Sequence, residues 1–145
     1  MGIAQTTTTS FRVELFEAVH NFSTDTFKIA LYTGVASIGP ETTSYTTLGE
    51  AAGTGYTAGG NTLTVTTSPT YGNDVYGIPT AYIGFGNTSW NSASFTARGA
   101  LIYNASKGNK SVAVLDFGAD KIVSGTNFTV QFPNADPNSA IVRIS

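Results

Sequence analysis

The chain has no cysteine, a single histidine and few charges, and each shortage removes a class of chemistry. Without cysteine there is no disulfide, no thiolate metal site and no thiol nucleophile. The absence is compatible with assembly in a reducing cytoplasm. One imidazole alone cannot build a zinc site of His and Cys ligands. Asp, Glu, Lys and Arg make up 11% of the 145 residues, well below the ~25% typical of soluble domains. The Lys and Arg side chains are scattered from Arg12 to Arg143 with no cluster, which argues against a nucleic-acid partner. No apolar run approaches the roughly eighteen residues a spanning helix needs, so no membrane partner is expected. The opening MGIAQTTTTS has neither the basic region nor the apolar run of a secretory signal.

What is present is a chain sized for one domain. Surface scaling predicts that about two thirds of the extended-chain area is buried on folding, enough for a core without staples. Formal net charge is −2 and the polar residues are mostly Thr, Ser and Asn. Such a surface repels neighbours weakly and suits a protein packed among other proteins.

Residues 1–9 read as an extended N-terminal arm, and residues 10–145 as a single β-sandwich domain. The TTTT run has high β-propensity but little to bury, so the arm is expected to order only against something else. Ser10 reads as a helix N-cap. Behind it Phe11, Leu15, Val19 and Phe22 recur at helical spacing and predict one short helix over Ser10–Asn21. From Thr26 onward everything reads as strand and turn. Thr26–Thr33 alternates, with Phe27, Ile29 and Leu31 on one face and Lys28, Ala30 and Tyr32 on the other. Asn61–Thr67 sets Leu63 and Val65 against threonines. Further strands are predicted at Thr80–Gly86, Ser94–Tyr103, Ser111–Phe117, Asn127–Phe132 and Ala140–Ile144, with a hairpin at Ser106–Lys110. Seven or eight strands at this spacing predict an all-β fold, a jelly-roll-like β-sandwich with one N-terminal helix. A closed barrel is the competing architecture.

The most informative stretch is Phe27–Val65. It starts as a strand, passes through a long Thr/Gly-rich excursion, and returns as a second strand. The excursion is built to present backbone, hydroxyls and a few tyrosines, which points to a scaffold that grips another surface. His20 is expected to sit at the helix C-terminus, where a cation interacts well with the dipole. No Gly-x-Ser-x-Gly elbow accompanies it. Glu41 with Glu50, or Asp116 with Asp120, could be read as a hydrolase pair, but solvated loop acids are the simpler reading. Gly53, Gly55, Gly59 and Gly60 lack the Lys and the following helix of a phosphate cradle. The oxygen side chains of Asn134, Asp136 and Asn138 lack the Gly and Glu of a calcium loop and read as a plain turn. Tyr45, Tyr56, Tyr71, Tyr76 and Trp90 lie in or beside loops, where aromatics serve interfaces and sugar platforms alike.

The segments FKIALYT, TTSYTTLGEAAGTGYTAGGNTLTV and FTARGALIYNASKGNKSVAVLDFG resemble a family of small virion structural proteins from tailed bacteriophages. The resemblance spans roughly Ser10–Ile144 and is most distinctive at Gly53–Gly60 and Ala100–Asn104. It implies a capsid decoration, or cement, protein on the outer surface of the head. Its partners would be the major capsid protein and neighbouring copies of itself, as a dimer or trimer. No catalytic residue, cofactor or metal comes with that family. The contact residues then expected are Gln5, Thr6, Thr7, Thr8 and Thr9 of the arm, adding a strand to a capsid edge. Tyr45, Gly55, Tyr56, Gly59 and Gly60 of the excursion form the second set. A tail or head–tail junction component is the nearest alternative. A carbohydrate-binding module using Tyr71, Tyr76 and Trp90 is a further one, and a glycan hydrolase using Glu41 and Glu50 the last.

Overall fold

In the computed structural model, residues 2–145 are described; Met1, the first residue of the expected arm, lies outside them. The described residues fold as an all-β sandwich of eight strands in two antiparallel sheets, with one short N-terminal helix. In chain order these are β1 (Thr6–Thr7), α1 (Thr9–Phe16), β2 (Phe27–Tyr32), β3 (Asn61–Thr62), β4 (Val65–Asn73), β5 (Pro79–Phe85), β6 (Thr88–Asn104), β7 (Lys110–Val130) and β8 (Val142–Ile144). One sheet runs β1-β7-β6-β2-β3 and the other β4-β5-β8.

Alternation explains the central strand β2. Phe27, Ile29 and Leu31 enter the core between the sheets, joining Phe85, Trp90, Phe95, Ile102 and Val142. The other face is not left to solvent. Ala30 and Tyr32 are buried with Ala36, Ile38, Leu101, Tyr103 and Val114 in a second, smaller core. The excursion after β2 folds back over that face and forms its lid. The large sheet is therefore covered on both sides, which a half-buried alternation does not reveal.

Three expectations are corrected. The helix starts at Thr9 and its N-cap is Thr8, not Ser10: Thr8 has extended backbone and its Oγ1 accepts from Phe11 N at 3.3 Å. It also ends at Phe16, well short of Asn21, because Ala18 turns left-handed at φ 58°. Beyond it Asn21 and Asp25 hold a local turn, with Asn21 Oδ1 accepting from Ser23 N at 2.9 Å and Asp25 Oδ2 from Asn21 N at 3.0 Å. Phe22 still reaches the core, stacked on Phe27 with ring centroids 4.4 Å apart. The helical spacing was thus fulfilled by a turn.

The second correction concerns β6 and β7, read as shorter separate strands. They form one long hairpin, joined by a tight turn over Ala105–Lys107, with register shifts between Trp90 and Ala93 and between Ala97 and Gly99. Gly118 and Gly125, which lie between the strands expected at Ser111–Phe117 and Asn127–Phe132, adopt positive φ inside β7 and bend it without ending it. Third, Asn61–Thr67 is not one strand. It pairs with β2 at Asn61–Thr62, then changes sheets through the buried Leu63 and continues as β4.

Candidate functional site

The excursion from Thr42 to Gly60 is organised around one carboxylate. Glu50 Oε1 accepts from Tyr45 Oη at 2.6 Å, while Oε2 accepts from Tyr56 Oη at 2.5 Å and from Gly59 N at 2.8 Å. The hydroxyl of Tyr56 in turn accepts from Leu31 N at 2.9 Å. Tyr103 Oη donates to Gly59 O and Tyr32 Oη to Thr46 O, both at 2.6 Å. The four phenols and the carboxylate thus tie the loop to β2 and β6. Rings reinforce the ties: Tyr45 stacks on Tyr103 with centroids 4.9 Å apart.

Burial pushes the Tyr32, Tyr45, Tyr56 and Tyr103 hydroxyls above the usual tyrosine range. For Tyr45 and Tyr56 the hydrogen bond to Glu50 adds to that rise, and for Tyr32 and Tyr103 the Glu50 charge does. These phenols remain protonated donors over any ordinary pH. Glu50, considered as half of a hydrolase pair, has both oxygens engaged by donors from its own loop. Its partner in that reading, Glu41, is exposed.

The glycines expected to meet another molecule meet this one. A Cβ on Gly60 would lie 1.8 Å from Ile29 O, and one on Gly55 would lie 2.9 Å from Ala93 Cα. Both positions bring loop backbone against strand backbone. Tyr45, Gly55, Tyr56, Gly59 and Gly60 are thus brought together, as the internal fastening of the excursion. What the loop presents outward is different. Thr33 N donates to Gly49 O at 2.8 Å, and Gly49 rests on Ala36. Where these two loops meet, Val35 and Leu48 are 85% and 78% exposed. Sequence reading missed both. The fastening beneath them did carry a signal: a lone acid, Glu50, with tyrosines five residues before and six after it.

The arm is likewise engaged at home, where the sequence reading has it order only against a partner. Thr6 and Thr7 pair with Val114 and Ala113 as the outermost strand of the large sheet. Gln5 Oε1 accepts from Asp116 N at 3.0 Å, and Thr9 N donates to Pro40 O at 2.8 Å. Thr8 is fully buried, its Oγ1 2.8 Å from Ser111 Oγ. Upstream, Ala4 N donates to Ile38 O at 3.0 Å. A shallow groove of about 700 Å³ runs between Gly2–Ala4 and the segment from Ser37 to Thr46.

Two further clusters are placed. His20 lies past the helix end, so the dipole does not explain it; it is buried and its Nε2 is 2.8 Å from Glu14 Oε1. Asn104 Nδ2 donates to His20 Nδ1 at 3.0 Å and to Asp25 Oδ2 at 2.8 Å, and its Oδ1 accepts from Ser106 N at 3.0 Å. This chain of hydrogen bonds fastens the helix to the β6–β7 turn. Burial alone would raise the Asp25 carboxyl, but hydrogen bonds from Asn104 and the Asn21 N–H, with the Lys107 ammonium, hold it below the usual range. The three aromatics of the sugar-platform reading are separated by burial. Tyr71 and Tyr76 are exposed, whereas Trp90 is buried against Tyr56, Phe95 and Phe128. Asp136 makes the plain turn expected, its Oδ1 accepting from Asn138 N and Ser139 N.

Among the described residues, no group of three or more His, Cys, Asp or Glu side chains is placed to hold a metal ion. No helix of the described residues is long and apolar enough to cross a membrane. Comparison with protein-family models, curated proteins and solved structures finds no match to this chain.

Proposed function

We propose that this chain is a capsid decoration, or cement, protein of a tailed bacteriophage, bound to the outer head surface and bridging capsid subunits without covalent chemistry. The observation that carries the reading is the excursion itself. Five ionisable side chains inside it and beneath it are used to hold a loop rigid, while its outer rim exposes Val35 and Leu48. A loop fixed in advance loses little conformational entropy when a partner covers it. The resemblance of the Gly53–Gly60 and Ala100–Asn104 segments to phage virion proteins supplies the partner class.

The physics suits a shell under outward pressure. A cement protein needs only a modest contact on each capsid subunit, because touching two or more at once raises effective concentration. Its place is the virion, with the major capsid protein as main partner. The arm belongs to the protein's own sheet, so the capsid contact falls to the rim of the excursion and the groove beside Ile3 and Ser37.

The test is binding of purified protein to capsids stripped of it. Leu48→Asp and Val35→Asp should each weaken retention about tenfold or more, as expected for a charge placed in an apolar contact. Asn91→Asp, exposed on β6 at the register shift between Trp90 and Ala93, serves as the control. Equal retention of all three would reject the rim as the contact and the reading built on it.

A further inference from the structure

Two short pairings leave main-chain groups free around the groove beside the arm. Ala4 N donates to Ile38 O and Ile38 N to Gly2 O, both at 3.0 Å, so both main-chain groups of Ile38 face the arm. In such a pairing the neighbouring residue, Ser37, points its own N–H and C=O the other way. Tyr45 N donates to Asn109 O at 2.9 Å and Ser111 N to Thr43 O at 3.0 Å. These bonds flank Ser44 and Lys110 as a non-hydrogen-bonded pair, so Ser44 turns its N–H and C=O away from the β6–β7 hairpin. Among the described residues, the main chain of neither Ser37 nor Ser44 has a hydrogen-bond partner. Both residues are exposed, and both line the groove. A closed turn joins their segments: Thr42 N donates to Gly39 O at 3.0 Å, and Gly39 N to Thr42 Oγ1 at 2.9 Å.

The lining narrows the chemistry of an occupant. Glu41 is the only charged side chain in it, so a phosphate or other anion finds no cation there. No aromatic ring lines it for a sugar to stack on. Ile38 is buried in the second core and Ile3 packs against that core, so an amphipathic helix finds no apolar pocket for its anchors. Gly2, Ala4, Ser37, Gly39 and Ser44 are small enough to let another backbone come close. What the groove offers is peptide N–H and C=O.

We propose that the groove receives an extended strand of the major capsid protein, which exchanges main-chain hydrogen bonds with Ser37 and Ser44. Strand addition of this kind takes its grip from the backbone and asks little of side chains. The strand comes from another protein, because this chain's own arm is already paired at Thr6–Thr7 with Val114 and Ala113. The identity of that protein rests on the cement reading.

Ser44→Pro removes the free N–H and touches no hydrogen bond of the fold, and proline is tolerated where an edge N–H faces outward. Ser44→Ala keeps the N–H and loses only the hydroxyl. On stripped capsids the proline variant should be held about tenfold more weakly than wild type, with unchanged near-UV circular dichroism, and the alanine variant equally well. Hydrogen exchange on the wild-type protein decides the matter should the proline variant misfold. Peptides holding Ser37 and Ser44 should exchange about tenfold more slowly on heads than in free protein. A benzophenone carried in place of the Glu41 side chain should, on illumination, link to the major capsid protein. A folded proline variant retained as well as wild type, or unchanged exchange at both serines, overturns the strand and leaves the cement reading standing. A link to a second copy of this chain overturns it likewise. Wild type that stripped capsids fail to retain overturns both.

Discussion

Replacing Glu50 by alanine should cost more than any other substitution of an acidic side chain in this protein. The carboxylate accepts from two phenols and one backbone N–H, at 2.5 to 2.8 Å. Removing it strands all three donors beneath the loop, where each unpartnered group costs about 1–3 kcal/mol. Tyr45 is partly wet, so water recovers part of its loss, and the sum comes to ~3–5 kcal/mol. Against a total stability of roughly 5–15 kcal/mol this is a large fraction. For a domain of this size it lowers Tm by about 10 °C. Glu50→Gln keeps the volume and one acceptor oxygen but turns an N–H₂ toward donors, so it should fall between wild type and alanine. Guanidinium unfolding followed by the fluorescence of buried Trp90 measures both. An alanine variant within ~0.5 kcal/mol of wild type would refute the view that the carboxylate fastens the excursion.

Three more outcomes rest on the same structure. Tyr32, Tyr45, Tyr56 and Tyr103 hold their protons more tightly folded than unfolded. Stability is therefore fully present below the ordinary tyrosine range near pH 10 and falls as pH rises beyond it. Denaturation midpoints at pH 8, 10 and 11 should decline only above 10, and a flat or rising series would contradict the buried-phenol account. Gly60→Ala forces a Cβ to within 1.8 Å of Ile29 O and should destabilise by more than ~2 kcal/mol, whereas Gly77→Ala, with the same φ of 76° and open space around it, should cost about 1 kcal/mol. Equal losses at the two sites would remove the close approach as the cause. Deleting residues 1–8 strips β1, the Thr8 cap and the Ile3 contact on Gly99, so thermal melting should drop sharply. An unchanged melt would return these residues to the role of a free arm.

Much of the fold was legible because alternation and turn residues carry it directly. Phe27, Ile29 and Leu31 announced the face of β2 that meets the core, and the Ser106–Lys110 hairpin stood where its glycine and asparagine put it. The failures have a common physical cause: one local signal serving two structures. Gly118 and Gly125 fit a strand break and a bulge equally well, and only the pairing partner β6 decides between them. The Phe11–Phe22 spacing fits a helix, yet Ala18 and the Asn21–Asp25 turn deliver Phe22 to the same core.

The site was less legible than the fold. Tyr45, Tyr56, Gly59 and Gly60 were recognised as a set, but a hydroxyl in a loop does not reveal whether its acceptor is a partner or a nearby glutamate. Contacts far apart in sequence, such as Gly53–Gly55 against Ser94 and Ala93, settle that question. Val35 and Leu48 gave no sequence signal, since isolated aliphatics in polar loops are ordinary. Their meaning comes from the rigid frame beneath them.

The most direct test of the cement proposal is mechanical. Phage heads should be heated, or shocked osmotically, with this protein bound and after it has been removed, and the release of packaged DNA recorded. Heads that carry it should hold to a higher temperature and a larger shock, with Leu48→Asp protein failing to restore what removal takes away. Identical rupture curves with and without it would contradict the proposal.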